Sequence, residues 1–343
     1  MSTEKDFLGK FSRDQFEKFI KPHLRSAPEL IIPPKFGSDY AALEIGKEKV
    51  LTLSTDPLSI SKQLGWKRSG KLALQVVACD VAASGIPPRY ISTNWNLPVS
   101  LSDETFDKVC KSFCREARRE GITIIGGHTG RYEGPGLPIT GAATVFGIGE
   151  KSDLLNGEIK AGNSLALFGV PGLEAAGILS FYSPEIATKA LGNKGFYSLR
   201  ERYDRIRPTK TLNVLSSIPG ILKLHDLGEG GLIGGTQELL EASEPGIRLE
   251  RDTIKVPAEV KKVCRELELD PLKITSTGAG LAVIKEGCSE KTIDHARGEK
   301  IKLTEIGNFT QKAGLEIKSN GKTESLKKAV RDKFWDRLHN LTS

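Results

Sequence analysis

No run of about 18 apolar residues occurs in the 343-residue sequence, so no segment is expected to span a membrane. The amino-terminal stretch MSTEKDFLGKFSRDQFEKF is charged and amphipathic and lacks the apolar core of a signal peptide, which points to a cytoplasmic protein. Cysteine is sparse and odd in number, five in all. Cys110 and Cys114 fall with Phe106 and Ala117 on one helical face, which reads as core packing by reduced thiols. A zinc site wants tighter pairs with further His or Cys nearby, and the sequence offers none. Charge of one sign is not concentrated either. The formal net charge is +7, but bases and acids interleave, as in KKVCRELELD, so the basic residues read as solvated surface and nucleic acid is not an expected partner. GxxxxGK[ST], GxGxxG after a strand and GxSxG are all missing, so any phosphate site here is of another type.

What is present centres on Val50 to Tyr90. Leu51 and Leu53 alternate with Thr52 and Ser54 as a half-buried strand, which places Asp56 at the strand's end. Leu72, Leu74, Val76, Val77, Ala78 and Val81 then make a helix that is apolar nearly all round, from near Ser69 to Gly85, with Asp80 inside it. A carboxylate in so apolar a helix is costly unless a cation or hydrogen-bond donors meet it. A lysine or arginine partner, or a bond back to the helix backbone, satisfies that demand, and so does a metal ion. Two further small-residue turns carry polar ligand candidates after apolar runs, Phe36 to Ala42 with Asp39 and Ile124 to Gly130 with His128. Oxygen ligands from separate turns suit a hard cation such as magnesium on a phosphate chain.

The length favours two domains. Residues 12 to 25 form an amphipathic helix with Phe16, Phe19 and Ile20 on one face, and Lys35 stands beside the first glycine turn. Tyr90 to Asn96 alternates as a strand, Ser102 and Asp103 cap a helix to about Glu120, and strands follow at Ile122 to Ile125 and Ile139 to Ile148. A polar linker, Gly149 to Asn163, closes a mixed α/β first domain, residues 1–150, before a second α/β domain at 163–343. There Ser164 to Val170 is a strand, Leu173 to Phe181 a helix and Glu185 to Ser217 a helical region whose basic run, Arg200 to Arg207, reads as an exposed face. Leu222 to Leu224 leads into His225 to Gly231 and a helix from Leu232 to Ala242, a strand, glycine turn and helix start whose N–H groups suit an anion. Ile274 to Gly280 repeats that pattern, and a terminal amphipathic helix carries Leu326, Val330, Phe334 and Leu338.

GSDYAA, STD, VACDVAASGIPPRYIS, GGHTG, DLGEGG with QELLEAS, and STGAGLAVI together resemble the aminoimidazole ribonucleotide (AIR) synthetase superfamily, also called PurM-like, over about residues 9 to 310. The nearest resemblance is to its HypE hydrogenase-maturation family, whose D-P-T-R-G-G turn and N-E-I-A-E-A-S correspond to Asp226 to Gly231 and Gln237 to Ser243. The resemblance implies a two-domain α/β fold, a homodimer whose first-domain mixed sheets form a shared barrel, and ATP with magnesium at the dimer cleft. It implies Asp39, Asp56 and Asp80 as metal and phosphate ligands, with Lys35, Gly37, Gly126, Gly127 and Thr129 on the nucleotide. Asp226, with Gly230 and Gly231, would border the acceptor, and His128 joins Asp226 as a catalytic candidate through a phosphate contact. Three departures stand out: Ser38 where the kinase pattern has an acid, His128 where relatives carry Asp or Glu, and Ser343 where HypE enzymes end in cysteine. The expectation is a HypE-like ATP- and magnesium-dependent enzyme that phosphorylates an oxygen of a small or protein-borne acceptor. The alternatives are a small-molecule kinase of the thiamine-monophosphate kinase type and a degenerate nucleotide-binding protein without catalysis.

Overall fold

The computed structural model describes residues 8–241 and 243–341. After a short helix α1 (Arg13–Phe19), the chain lays down β1 (Leu30–Ile32), β2 (Ala41–Gly46), β3 (Lys49–Ser59), α2 (Trp66–Ala83), β4 (Tyr90–Pro98), α3 (Asp103–Arg119), β5 (Thr123–Tyr132) and β6 (Ile139–Glu150). The six strands form one mixed sheet in the order β1-β2-β3-β6-β4-β5, antiparallel except for the parallel pair β4 and β5. One face of it is covered by α2 and α3. Ile91, Trp95 and Leu97 point inward from β4 onto Leu74, Val77 and Val81 of α2 and Val109 and Phe113 of α3. Ser102 caps α3 by accepting from the Thr105 N–H at 3.2 Å, and Arg118 and Arg119 complement its carboxyl end.

A second sheet follows. Its chain order is β7 (Ser164–Phe168), α4 (Leu173–Tyr182), α5 (Pro184–Asp204), α6 (Pro208–Ser216), β8 (Ile221–Asp226), α7 (Gly231–Glu241), β9 (Gly246–Glu250), α8 (Ala258–Glu266), β10 (Gly280–Ile284), α9 (Ser289–Gly298), β11 (Leu303–Thr310), β12 (Leu315–Ser319), β13 (Lys322–Leu326) and α10 (Phe334–Asn340). The strands run β13-β12-β9-β11-β7-β10-β8, with β12 and β9 the parallel pair, and β8 forms an edge. The all-round apolarity of α2 now has a cause. One side of it packs on the first sheet, while Cys79, Ala82 and Ala83 on another side pack with Phe168, Leu212, Leu215 and Leu224 of the second half. Asp80 is thereby carried to the seam between the two halves.

Several sequence expectations are corrected. Asp56 lies inside β3 rather than at its end, and Val50, Thr52 and Leu58 are the buried residues of that strand, whereas Leu51 and Leu53 face the sheet's uncovered side and are partly exposed. Gly126 to Gly130 is no turn: it belongs to β5, which pairs in parallel with β4 past a register shift opposite Ile91 and Ser92. A Cβ on Gly127 would stand 1.9 Å from the Thr93 carbonyl oxygen. Cys110 and Cys114 sit at the margin of the buried α3 stripe, with their sulfurs 3.8 Å apart, and all five cysteines are free thiols. The apolar residues of α1 are not buried. The run from Arg200 to Arg207 is not simply solvated, because Arg200 lies between the Phe181 and Phe196 rings and Arg207 pairs with the buried Glu116 at 2.6 Å. Ile274 to Gly280 leads into a strand, β10, instead of a helix. The terminal pattern divides as well: Leu326 ends β13, Val330 is in a loop, and only Phe334 and Leu338 are on α10. Ala242 and Ser343 lie outside the described residues. Among the described residues no helix is long and apolar enough to cross a membrane.

Candidate active site

Four aspartates meet at the seam, each delivered by a different element. Asp39 precedes β2, Asp56 comes from β3, Asp80 from α2 and Asp226 from the end of β8. Ser54 ties two of them together, its hydroxyl lying 3.0 Å from Asp56 Oδ2 and 2.8 Å from Asp80 Oδ2. Cys79 links Asp80 to Asp226, with Sγ 3.3 Å from Asp226 Oδ2 and 3.7 Å from Asp80 Oδ1. Ligand atoms of Cys79, Asp80 and Asp226 lie within 4.8 Å of one another, and so do those of Asp39, His225 and Asp226. The first half therefore supplies three acids, and the fourth arrives only because β8 docks on α2.

The electrostatics follow from that crowding. Burial, then the neighbouring Asp226 and Asp56 carboxylates, push Asp80 well above the ordinary carboxylate range. Burial also raises Asp56, against the Ser54 hydrogen bond that favours its charge. Asp226 is pushed up to about 7 by burial and by Asp39. Like charges held this close are each other's penalty, and a divalent cation removes it. The donor set fits a hard ion: carboxylate oxygens predominate, and the one soft atom, Cys79 Sγ, is a thiol whose ionisation burial and Asp226 oppose.

A second row of charges abuts the first. His225 is buried at 2 % exposure and places Nδ1 2.6 Å from Asp39 Oδ2 and Nε2 3.2 Å from Glu238 Oε2. With a carboxylate at each ring nitrogen both nitrogens donate, which makes the ring an imidazolium. Burial works against that charge, but Asp39 and Glu238 outweigh it and raise His225 to about 10. Glu238, whose burial is likewise overcome by the His225 hydrogen bond and by Lys10, is lowered to about 2. Lys10 Nζ closes the row, 2.7 Å from Glu238 Oε1. The row fixes Asp39 by one oxygen and leaves its other oxygen for a ligand.

The glycine turn before Asp39 is shaped by the same contact. Gly37 has φ 78° and lies against α7 so closely that a Cβ there would stand 2.7 Å from the Glu238 carbonyl oxygen. Lys35 is exposed on this turn, its carbonyl accepting from the Ser38 N–H at 3.2 Å, and its ammonium has no hydrogen-bond or ion-pair partner among the described residues. Gly230 and Gly231 border the centre beyond Asp226, but both amides are already used: Gly230 N–H donates to Asp332 Oδ2 at 2.9 Å and Gly231 N–H to the Gly228 carbonyl at 3.2 Å. Gly126, Gly127, His128 and Thr129 are not brought to the acids within the chain. Asp56 pairs across the sheet with Ala143, Ala143 with Thr93 and Thr93 with Gly127, so three strand spacings, about 14 Å, intervene. His128 is exposed there, its Nε2 2.6 Å from the Tyr132 hydroxyl.

The structure thus unites Asp39, Asp56, Asp80 and Asp226, and adds residues to which sequence reasoning gave no role in the site: His225, Glu238, Lys10, Ser54 and Cys79. The available signals were adjacency, since His225 precedes Asp226 and Cys79 precedes Asp80, and the acid in QELLEAS. A separate cleft of about 540 Å³ between α3, α6 and α9 is lined by Arg119, Lys210, His295, Glu120 and Glu299 and includes none of the acid centre.

Comparison with known proteins bears on the two-domain fold. Residues 37–149 match the model of the AIR synthase related protein N-terminal domain, and residues 160–320 match that of the C-terminal domain. Carbamoyl dehydratase HypE of Escherichia coli strain K12 is 28 % identical over 254 residues, 72 % of this chain and 72 % of that protein. A HypE hydrogenase maturation protein in complex with ATP superposes with TM-score 0.64 at 19 % identity, covering 96 % of this chain and 97 % of its own. A ThiL structure complexed with AMPPCP and TMP superposes with TM-score 0.67 at 18 % identity, covering 85 % and 91 %.

Proposed function

The chain belongs to the AIR synthase related family, and from that premise we propose that it is a HypE-like, ATP- and magnesium-dependent enzyme that phosphorylates an acceptor oxygen. The observation that carries the reading is the meeting of Asp39, Asp56, Asp80 and Asp226 from four elements, with more negative charge than His225 and Lys10 neutralise. In this reading the four carboxylates hold magnesium, which neutralises the phosphate chain. Asp39 is oriented by His225, Asp56 and Asp80 share the Ser54 hydroxyl, and Asp226 faces the acceptor. The acceptor oxygen bonds to the γ phosphorus as the bond to the bridging oxygen breaks and ADP leaves. Asp226, on the acceptor side, takes the proton of a hydroxyl acceptor.

The reading includes a homodimer. The uncovered face and outer edge of the first sheet expose Ile124, Ile125, Tyr132 and Ile139, an apolar surface that a second copy covers. In such a pair the β5 residues Gly126 to Thr129 approach the partner's nucleotide, which reconciles their distance from the acids of their own protomer. A small-molecule kinase of the thiamine-monophosphate kinase type is the second reading, favoured by the likeness of the fold to the ThiL structure complexed with AMPPCP and TMP. Product analysis with ATP and magnesium separates the two. An activating enzyme releases free phosphate, a kinase yields a phosphorylated acceptor, and binding without turnover on any acceptor leaves a non-catalytic nucleotide-binding protein.

A further inference from the structure

One side chain beside the acid centre fastens both the amino-terminal and the carboxyl-terminal segment. Glu229 stands in the turn between Asp226 and α7, and its two oxygens serve different segments. Oε2 accepts from the Lys10 backbone N–H at 2.7 Å, and Oε1 accepts from the Trp335 indole N–H at 2.9 Å. Residues 9–13 then follow α7. Lys10 Nζ bonds Glu238 Oε1 at 2.7 Å and lies 5.6 Å from the centre of the Phe36 ring, and Arg13 pairs with Glu241 at 2.6 Å. Lys10 therefore spans from the turn after Asp226 to the turn that carries Asp39. The carboxyl-terminal segment is bound to the same turn and helix: Asp332 accepts from the Gly230 N–H, and Gln237 bonds the backbone of Lys328 and Val330.

The two segments are held by different forces. The carboxyl-terminal one buries Phe334 and Leu338 in the second core. Residues 8–14 are all exposed, Leu8 and Phe11 by more than half, so the amino-terminal segment rests on hydrogen bonds and ion pairs without buried contacts. That places it among the parts of the molecule that open most easily. Its seat on Glu229 is nevertheless close. Gly9 has φ 112°, and a Cβ there would stand 2.5 Å from Glu229 Oε2 and 3.2 Å from the Trp335 ring. The acids behind it are withdrawn from water, so a ligand reaches Asp39 and Asp226 when a covering segment moves aside.

We propose that Glu229 is a positioning residue that latches residues 9–13 as a strap across the acid centre, braced through Trp335 against α10, and that the latch opens to admit the ligand. Its gating of the nucleotide rests on the reading above, whereas the latch itself stands on the contacts of Glu229 alone.

The test compares the full chain with Glu229→Gln and Gly9→Ala in two measurements, limited trypsin digestion read by mass spectrometry and stopped-flow association of magnesium mant-AMPPNP. The amide turns one acceptor oxygen of residue 229 into a donor, so one of its two bonds is lost. The added methyl of Gly9→Ala wedges the strap off the carboxylate from the strap's own side. Both variants are expected to speed cleavage after Lys10 by about tenfold or more, with cleavage after Lys312, in the exposed turn between β11 and β12, unchanged. Both are expected to speed nucleotide association by about threefold or more. Cleavage after Lys10 at the wild-type rate in the two variants overturns the latch. Faster cleavage with unchanged association overturns the gating role. Faster cleavage in proteins that bind no nucleotide at all supports the latch and defeats the ATP reading. Should Glu229→Gln not fold, Gly9→Ala decides alone, because residues 8–14 contribute to neither core.

Discussion

Replacing Asp226 by asparagine should make the metal-free protein more stable in alkali while disabling the site. The carboxyl is 9 % exposed and raised from 3.8 to about 7, by burial first and by Asp39 next. Between those two values the folded chain holds a proton that the unfolded chain has lost, so stability falls as pH rises through this window and levels off above about pH 7. Roughly three pH units at about 1.4 kcal/mol each set an upper figure near 4 kcal/mol. Asparagine keeps the shape, removes the charge and relieves Asp80, which Asp226 also pushes upward. In chelator at about pH 8, Asp226→Asn should gain about 2 to 4 kcal/mol over the wild type in urea denaturation, and the gain should fade to nearly zero below about pH 4. Added magnesium should stabilise the wild type and not the variant. A variant less stable than the wild type at the higher pH, or a difference that does not change with pH, would refute the reasoning.

Phe334→Ala should cost about 3 to 5 kcal/mol in the same assay, because the ring is 1 % exposed in the second core, and a loss below about 1 kcal/mol would mean that α10 is not docked. Ile125→Lys on the exposed β5 edge should convert a dimer to a monomer in light scattering without loss of secondary structure. A wild type that is monomeric at every concentration would remove the dimer from the account.

The elements whose hydrophobic period matches their burial were legible in the sequence. Ile91, Thr93 and Trp95 are the inward side of β4, and Ser102 caps α3. Asp80 stood out in the sequence because its helix leaves a carboxylate nowhere inexpensive to go, and the structure places it beside Ser54, Cys79 and Asp226. Other features depend on contacts distant in sequence. His225 acquires its charge from Asp39, 186 residues away, and nothing local marks Glu238 as its second partner. Gly126-Gly127 looks like a turn, since small residues signal one, and only the parallel pairing with β4 shows that they lie in a strand, with Gly127 against the Thr93 backbone. The spacing of Leu326, Val330, Phe334 and Leu338 imitates a helix although a strand edge, a loop and a helix each contribute to it. The apolar side of α1 predicts a buried face that the chain does not bury.

The central claim, that the four aspartates form one magnesium-dependent nucleotide site, is tested most directly by calorimetric titration of AMPPNP into the wild type and Asp80→Asn, each with magnesium and with chelator. The account predicts saturable binding by the wild type only when magnesium is present, weakened by about tenfold or more in Asp80→Asn, an effect of at least about 1.4 kcal/mol, in a variant whose melting temperature is undiminished. Binding that ignores chelator, or an Asp80→Asn protein that binds as the wild type does and melts lower, would contradict it and leave Asp80 a structural member of the seam.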